Sequence, residues 1–172
     1  MIRFALLFLL IFVLGCNKFK DEELSMQRIE YTGDELRIDG YYYRIYKNHA
    51  MNEESIQVCC LYQNGIFRWC GISKSFQDYE NKIDDINKSK QYKHNWGVFI
   101  VENDIIKYEK WVGARALEPY ITRIYAGNIL NDTTFHITES YRPNGKERST
   151  EDLMFHFRQF SPKPDSTNNF IK

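Results

Sequence analysis

The sequence predicts a mostly β protein: an antiparallel up-and-down β-barrel, or a strongly curled meander, of about eight strands with one helix packed on it. Short apolar-rich segments of strand length recur after residue 28, and turn-forming residues separate them. Aromatic residues make up 16% of the chain, which is typical of a packed core. Because exposed strand edges invite aggregation, successive hairpins favour closure into a barrel. A half-open sheet wrapped around the helix is the alternative.

Length and charge limit the classes of protein. The chain has 172 residues, with 23 basic and 23 acidic side chains. That length suits one domain with a tether and is too short for two full-sized domains. The balanced charge excludes a strongly basic nucleic-acid binder, so we expect no nucleic acid among the partners.

The start of the chain has the composition of an export signal. Arg3 supplies a positive charge, and residues 4–14 form an unbroken apolar run that is too short to span a bilayer. The run stops at Gly15 and Cys16, and a polar stretch follows. We therefore predict a signal peptide over residues 1–15.

Residues 13–16, Val-Leu-Gly-Cys, resemble a bacterial lipobox. The resemblance implies that Cys16 becomes the lipidated N-terminus of the mature protein and that its acyl chains anchor the protein in a membrane. An ordinary secretory signal that contains a cysteine by chance is the alternative. Asn17 and the acidic residues 21–23 are similar to sorting signals of outer-membrane and surface lipoproteins. They imply an exported lipoprotein on the periplasmic face of the outer membrane or on the cell surface.

The rest of the chain divides into three parts. Residues 16–27 are charged and aperiodic, which predicts a flexible tether behind the lipidated cysteine. Residues 28–160 are predicted to form a single β-rich domain. Residues 161–172 lack periodicity and contain Pro162 and Pro164, so we predict a C-terminal tail.

The first three strands are predicted by alternation and by one turn signal. Residues 36–46 alternate, with aromatic side chains on both faces. Residues 56–62 and 66–69 flank Asn64 and Gly65. Asn-Gly between apolar strands predicts a two-residue type I′ turn, which fixes the register of this hairpin.

The type I′ register makes two predictions. It places Tyr62 opposite Phe67 and Cys59 opposite Cys70. One apolar core face then contains these residues: Val58, Cys60, Tyr62, Phe67 and Trp69.

The cysteines of this hairpin raise the question of a disulfide. Opposed residues have Cα atoms about 5.5 Å apart in a hydrogen-bonded pair, which is within disulfide range, so Cys59 and Cys70 are a candidate disulfide in an exported protein. Free thiols at both positions are the alternative. Cys60 is interpreted as a small buried apolar residue. Since Cys59 and Cys60 point to opposite faces of a strand, we predict no metal site, and we predict no cofactor.

The segment after the hairpin changes to a helical period. Phe76, Tyr79, Ile83 and Ile86 recur three and four residues apart. Residues 75–88 are therefore predicted to form a helix that packs on the sheet.

The remaining strands follow as hairpins. Asn103-Asp104 and Asn131-Asp132 provide two turn signals. The strands that flank them, with a final strand, are predicted at residues 96–101, 105–111, 121–130, 133–141 and 153–160.

The order of strands resembles that of lipocalin-like lipoproteins. The resemblance covers the strand plan only, since the Gly-x-Trp signature of lipocalins is absent and the helix lies before the fourth strand. Residues 36–43 and 160–168 are similar to uncharacterised small Bacteroidota lipoproteins, and that family implies no activity.

Inward-facing aromatic residues provide the main functional indication. They either fill the barrel or line a cavity for an apolar ligand. The candidate ligand-facing residues are Tyr62, Phe67, Trp69, Phe99 and Tyr108.

We therefore predict a membrane-anchored lipoprotein whose barrel-like domain binds a small hydrophobic ligand. The alternative is an accessory lipoprotein that docks on a cell-envelope complex through an aromatic sheet face. We find no catalytic motif, so we predict no enzyme. Catalysis would need a cleft where Asp39, His136 or His156 converge.

Overall fold

Eight antiparallel strands form a closed barrel, in which each strand pairs with the next and the last pairs with the first. The computed structural model describes residues 20–48, 53–113 and 118–172. The strands are β1 (Gly40–Asn48), β2 (Glu53–Leu61), β3 (Ile66–Ser73), β4 (Trp96–Glu102), β5 (Ile105–Val112), β6 (Ile121–Asn131), β7 (Thr134–Tyr141) and β8 (Ser149–Gln159). The predicted up-and-down barrel is confirmed, and its closure excludes the half-open sheet.

The two ends of the barrel differ. We call the end at which β1, β3, β5 and β7 finish the open end, and the opposite end the closed end. Residues 31–39 cross the closed end, where the Tyr31 amide donates to the Gln63 carbonyl (2.7 Å) and the Arg37 amide donates to the Asp132 carbonyl (2.9 Å). Tyr31 and Leu36 are buried there against the inner side chains of the barrel. The N-terminal part of the domain therefore plugs one end.

The β2–β3 turn is not the predicted type I′ turn. The Gly65 amide donates to the Tyr62 carbonyl (2.9 Å) and the Tyr62 amide to the Ile66 carbonyl (3.0 Å), with Gly65 at φ 77°. This is a three-residue loop that ends in a left-handed glycine. Leu61 therefore lies opposite Phe67, so the predicted pairing of Tyr62 with Phe67 is wrong by one residue.

A one-residue shift of register moves every side chain of a strand to the other face. The predicted core face is therefore split between the two faces of the barrel wall. Phe67 and Trp69 belong to the interior, whereas Val58, Cys60 and Tyr62 lie on the outside.

Apolar residues pack on both sides of the wall. The inner cluster contains Tyr31, Leu36, Tyr42, Cys59, Leu61, Phe67, Phe99, Ile106, Tyr108, Phe135, Ile137 and Phe155. The outer cluster contains Tyr41, Ile56, Val58, Cys60, Tyr62, Ile66, Cys70, Tyr79, Trp96 and Trp111. The barrel therefore has an aromatic core inside and a second one outside.

Two short helices cover part of the outer cluster. The predicted helix forms as α1 (Phe76–Asn81) and α2 (Ile83–Lys88), which meet at Lys82. The Ser75 hydroxyl accepts a hydrogen bond from the Asp78 amide (3.1 Å) and caps α1. The Tyr79 ring meets the Tyr41 ring edge to face, with centroids 4.6 Å apart. No helix in the described part of the chain is long and apolar enough to cross a membrane.

The segment before the domain is docked on the barrel rather than flexible throughout. The Ser25 and Met26 amides both donate to one carboxylate oxygen of Glu109 (2.8 and 2.7 Å), and the Trp111 indole donates to the Glu22 carbonyl (2.7 Å). The predicted flexible tether over residues 16–27 is therefore wrong for residues 21–26, where single polar contacts replace periodic packing. The predicted signal peptide and Cys16 lie outside the described residues.

The C-terminal tail also packs against the wall. The Lys163 ammonium donates to the Ile38 and Leu61 carbonyls (2.6 and 2.8 Å), and the Tyr62 hydroxyl donates to the Pro164 carbonyl (2.6 Å). These contacts cover the outward-facing Tyr62 and join the tail to the β2–β3 side of the barrel.

Candidate functional site

A cavity of about 230 Å³ lies inside the barrel, between the inner cluster and the open end. Side chains from six of the eight strands line it: Arg44, Gln57, Trp69, Tyr108, Lys110, Tyr125, Leu153 and Phe155. The half of the barrel next to the closed end is filled, so the interior is neither a solid core nor an empty tube.

One wall of the cavity is a stack of aromatic rings. Phe67 stacks on Tyr108 with ring centroids 4.2 Å apart, and Tyr108 stacks on Tyr125 at 4.9 Å. We call these three residues the aromatic ladder. Gly97 of β4 is opposite Phe67 in the sheet, and because it has no side chain, rings from β3 and β5 can meet across β4.

Lys110 adds a positive charge to this otherwise aromatic lining. Its ammonium nitrogen lies 4.8 Å from the centre of the Trp69 ring, a cation–π contact. Burial lowers the pKa of Lys110 to about 8, because the charged form loses hydration. Lys110 is therefore a cation held among apolar side chains.

Arg44 adds a second cation to the lining. Its guanidinium lies 5.9 Å from the centre of the Tyr46 ring, and it pairs in the sheet with Gln57. Within the described ranges, neither Arg44 nor Lys110 has a carboxylate within ion-pair distance. The cavity therefore carries two positive charges that no anion in the described part of the chain neutralises by direct contact.

A polar network lies nearer the open end. The Arg123 guanidinium donates to the Ser140 hydroxyl (2.9 Å), which donates to the Glu151 carboxylate (2.5 Å). Arg123 also donates to the Glu147 carbonyl (2.7 Å). The charge of Glu151 is thus engaged with Ser140, which leaves Lys110 without this acid as a direct partner.

The predicted ligand-facing residues lie in three different places: at the cavity, in the filled half of the barrel, and outside the wall. Trp69 and Tyr108 line the cavity, while Phe67 stacks on Tyr108 as part of the aromatic ladder. Phe99 belongs to the filled half, where its ring lies 5.6 Å from that of Tyr31. Tyr62 is outside the barrel and cannot face an internal ligand, because the turn is one residue longer than predicted.

Sequence reasoning missed the polar and cationic part of the lining. Arg44, Gln57 and Lys110 are charged or polar residues on strands, which are usually assigned to the solvent face. The signal that could have found Lys110 is its spacing, since residues two apart share a face and Tyr108 points inward.

The cysteines do not form the predicted pair. Cys59 belongs to the inner cluster, whereas Cys60 and Cys70 lie outside with their sulfur atoms 3.6 Å apart. Cys59, Cys60 and Cys70 are all free thiols. The Cys59–Cys70 disulfide is therefore contradicted, because the longer turn and a bulge after Val58 place Trp69 opposite Cys59.

The residues considered for catalysis contact different partners, although the register places His136 diagonally next to His156 on the outer face of β7 and β8. Asp39 forms an ion pair with Arg37 (2.6 Å), and the His136 imidazole lies 2.7 Å from Asp152. The ring centre of His156 is 6.0 Å from that of Tyr43 on the outer face. Among the residues with described positions, no group of three or more histidine, cysteine, aspartate or glutamate side chains could hold a metal ion.

Comparison with protein-family models, curated proteins and solved structures gives no match for this chain. The structure supports the predicted strand plan, a closed barrel of eight sequential strands, and the resemblance to lipocalin-like lipoproteins stays a prediction. The helices lie between β3 and β4 in this chain. Relationship to Bacteroidota lipoproteins stays a prediction.

Proposed function

We propose that this protein is a membrane-anchored lipoprotein whose barrel binds a small amphipathic molecule, with its apolar part against the aromatic ladder and an anionic group at Lys110. One observation carries the proposal: a cavity with aromatic walls contains a lysine that has no carboxylate of the described residues within ion-pair distance. The predicted export signal and the lipobox resemblance at Cys16 support the anchor.

The size of the cavity limits the ligand. About 230 Å³ exceeds the roughly 150 Å³ of an apolar cavity that binds benzene, and it is below the roughly 300 Å³ at which pockets for drug-sized ligands begin. A chain of about eight carbons or one substituted aromatic ring fits this range. Tyr108, Tyr125 and Phe155 offer such a body flat apolar surfaces.

The charge in the cavity favours an anion. An ammonium that is partly buried without an acidic partner loses solvation energy, and a bound carboxylate returns part of it as a charge-assisted hydrogen bond. Arg44 provides a second cation in the same lining. A neutral ligand of the same shape would gain only the apolar contacts.

The first test compares octanoate with octanol by isothermal titration calorimetry. We expect octanoate to bind about tenfold more tightly than octanol, a difference of about 1.4 kcal/mol. Lys110→Met should bring octanoate close to octanol and leave octanol unchanged. Lys107→Met is the matched control, because Lys107 lies on the outer face of the same strand.

A pH titration separates charge from shape. With a pKa of about 8, Lys110 is mostly protonated at neutral pH and loses its charge as the pH rises, while a carboxylate that titrates near pH 4 stays ionised. Octanoate affinity should therefore fall about fivefold between roughly pH 7 and pH 9 in wild type, because bound octanoate keeps part of Lys110 protonated, and stay level in Lys110→Met. Equal binding of octanoate and octanol would contradict the anionic preference, and binding of neither would contradict the proposed ligand class.

The anchor has its own test. Mass spectrometry of protein extracted from membranes should find a lipid-modified peptide that begins at Cys16, because the acyl chains partition into the bilayer. Cys16→Ser should release the protein from the membrane fraction. An unmodified mature chain that begins at another residue would contradict the lipoprotein proposal.

The docking alternative has less support from the surface. In the described part of the chain, the rings of Tyr41, Trp96 and Trp111 are at most 1% exposed beneath the helices and the terminal segments. The outer aromatic face that would contact an envelope complex is thus largely covered by the chain itself. We therefore favour ligand binding, with location on the periplasmic face of the outer membrane or on the cell surface as part of the same proposal.

A further inference from the structure

The N-terminal segment meets the barrel at its open end. The Tyr120 amide donates to the Asp21 carboxylate (2.9 Å), and the Glu22 amide donates to the Tyr120 carbonyl (2.9 Å). Tyr120 immediately precedes β6, which begins at the open end. Lys93, just before β4, forms an ion pair with Asp21 (2.9 Å).

The Glu22 side chain strengthens this attachment. One carboxylate oxygen accepts a hydrogen bond from the Thr122 amide (2.8 Å), and the other accepts one from Arg142 in the β7–β8 connection. Asp21 and Glu22 thus join three different parts of the chain at one end of the barrel. An attachment with this many partners fixes the point at which the preceding residues leave the domain.

The chain then runs along the outside toward the closed end. Ser25 and Met26 are bound to Glu109 in the middle of β5, and Tyr31 reaches the β2–β3 turn at the closed end. The direction of this segment is therefore set by contacts along its length. Any anchor that precedes Asp21 pulls on the open end.

We propose that the open end of the barrel faces the lipid bilayer, so that the mouth of the cavity lies at the membrane surface. The proposal rests on the proposed lipid anchor at Cys16. Five residue steps separate Cys16 from Asp21, and an extended chain spans at most about 3.6 Å per residue, so the reach is about 18 Å or less. A tether this short cannot let the barrel turn its closed end to the membrane.

Exposed side chains at the open end suit a membrane surface. Tyr46 and Tyr92 are 37% and 50% exposed, and Ile45 and Ile72 are more than half exposed. Tyrosine combines an apolar ring with a polar tip and is favoured at membrane interfaces. Ile29, Ile105 and Leu130 are exposed to a similar degree at the closed end, so the attachment of the chain, and not exposed apolar surface, selects the orientation.

This orientation deepens the proposed binding function. An amphiphile dissolved in the leaflet that holds the anchor would reach the aromatic ladder without crossing bulk water. The ligand class is then a membrane-dissolved amphipathic anion.

Fluorescence quenching in vesicles tests the orientation. The lipidated full-length protein is prepared as Lys146→Cys, in the β7–β8 connection at the open end, and as Leu130→Cys at the closed end, and each is labelled with a fluorophore. Cys59, Cys60 and Cys70 are buried and serve as unlabelled background, which the wild type measures. The vesicles contain phosphatidylethanolamine, phosphatidylglycerol and lipids with a spin-labelled headgroup. We expect at least about twofold stronger quenching at position 146 than at position 130, because the tether holds the open end near the headgroups.

The outcomes separate the two proposals. Equal quenching on vesicle-bound protein, or stronger quenching at position 130, would overturn the orientation and leave the anchor intact. Failure of the wild type to bind vesicles would overturn the anchor itself. Inserting about 20 glycine and serine residues after Asn17 gives a flexible linker and should remove the difference between the positions. A difference that survives this insertion would contradict the short tether as its cause.

Discussion

Replacing Phe135 with alanine should lower the free energy of unfolding by about 3–5 kcal/mol. Phe135 is fully buried inside the barrel, and its ring centre lies 4.9 Å from those of both Tyr42 and Phe155. The truncation removes the central ring of the filled half and leaves a void that the closed wall cannot collapse to fill. Urea denaturation followed by circular dichroism measures the loss.

Leu130→Ala is the matched control for this core substitution. Leu130 is 55% exposed at the closed end, so we expect a change within about 0.5 kcal/mol. If Phe135→Ala cost as little as Leu130→Ala, the filled half of the barrel would not be a close-packed core.

The second large effect is expected at Gly97. Replacing Gly97 with alanine should cost about 3 kcal/mol, because the new methyl group collides with the Glu109 carbonyl and lies only 3.0 Å from Cβ of Lys110. The Glu109 carbonyl and the Lys110 Cβ are held in place by the β4–β5 pairing, so the clash can be removed only if the two strands move apart. That movement would also shift Tyr108, and octanoate affinity should fall with stability. Thermal denaturation and calorimetry measure the two losses.

Gly113→Ala controls for the general effect of removing a glycine. A methyl group there would meet only the Tyr120 ring at 3.8 Å, an ordinary contact distance. We expect a change within about 1 kcal/mol in either direction. Equal costs at Gly97 and Gly113 would show that backbone entropy, rather than the close approach of β5, explains the first result.

Most of the fold could be predicted because local signals agree with it. Alternation predicts the strands, and the spacing of Phe76, Tyr79, Ile83 and Ile86 predicts the helical segment. The β2–β3 register could not be predicted, because Asn-Gly fits both a two-residue type I′ turn and a three-residue loop that ends in a left-handed glycine. That single choice decides the positions of Tyr62 and of the cysteines.

The site was only partly predictable for a different reason. Trp69 and Tyr108 were found because aromatic residues on strands usually face a core. Lys110 and Arg44 could not be predicted as part of the lining, because charged side chains rarely face the inside of a barrel. Their inward position depends on neighbours that come together only in the folded barrel. The docking of Glu22 likewise depends on single hydrogen bonds to distant residues, which leave no periodic pattern.

The helices and terminal segments cover only part of the outer face of the barrel, so one side of the barrel is stiff and the other is more easily deformed. From Ile56 to Leu61, β2 is buried on both faces, as in the central layer of a three-layer sandwich. In contrast, β8 has only one fully buried residue and is mostly exposed on its outer face, so most of that side is a single layer of sheet. Breathing of the barrel should therefore concentrate on the β7–β8 side. A ligand larger than the cavity would be accommodated by outward movement of β7 and β8, while β2 and β3 stay in place.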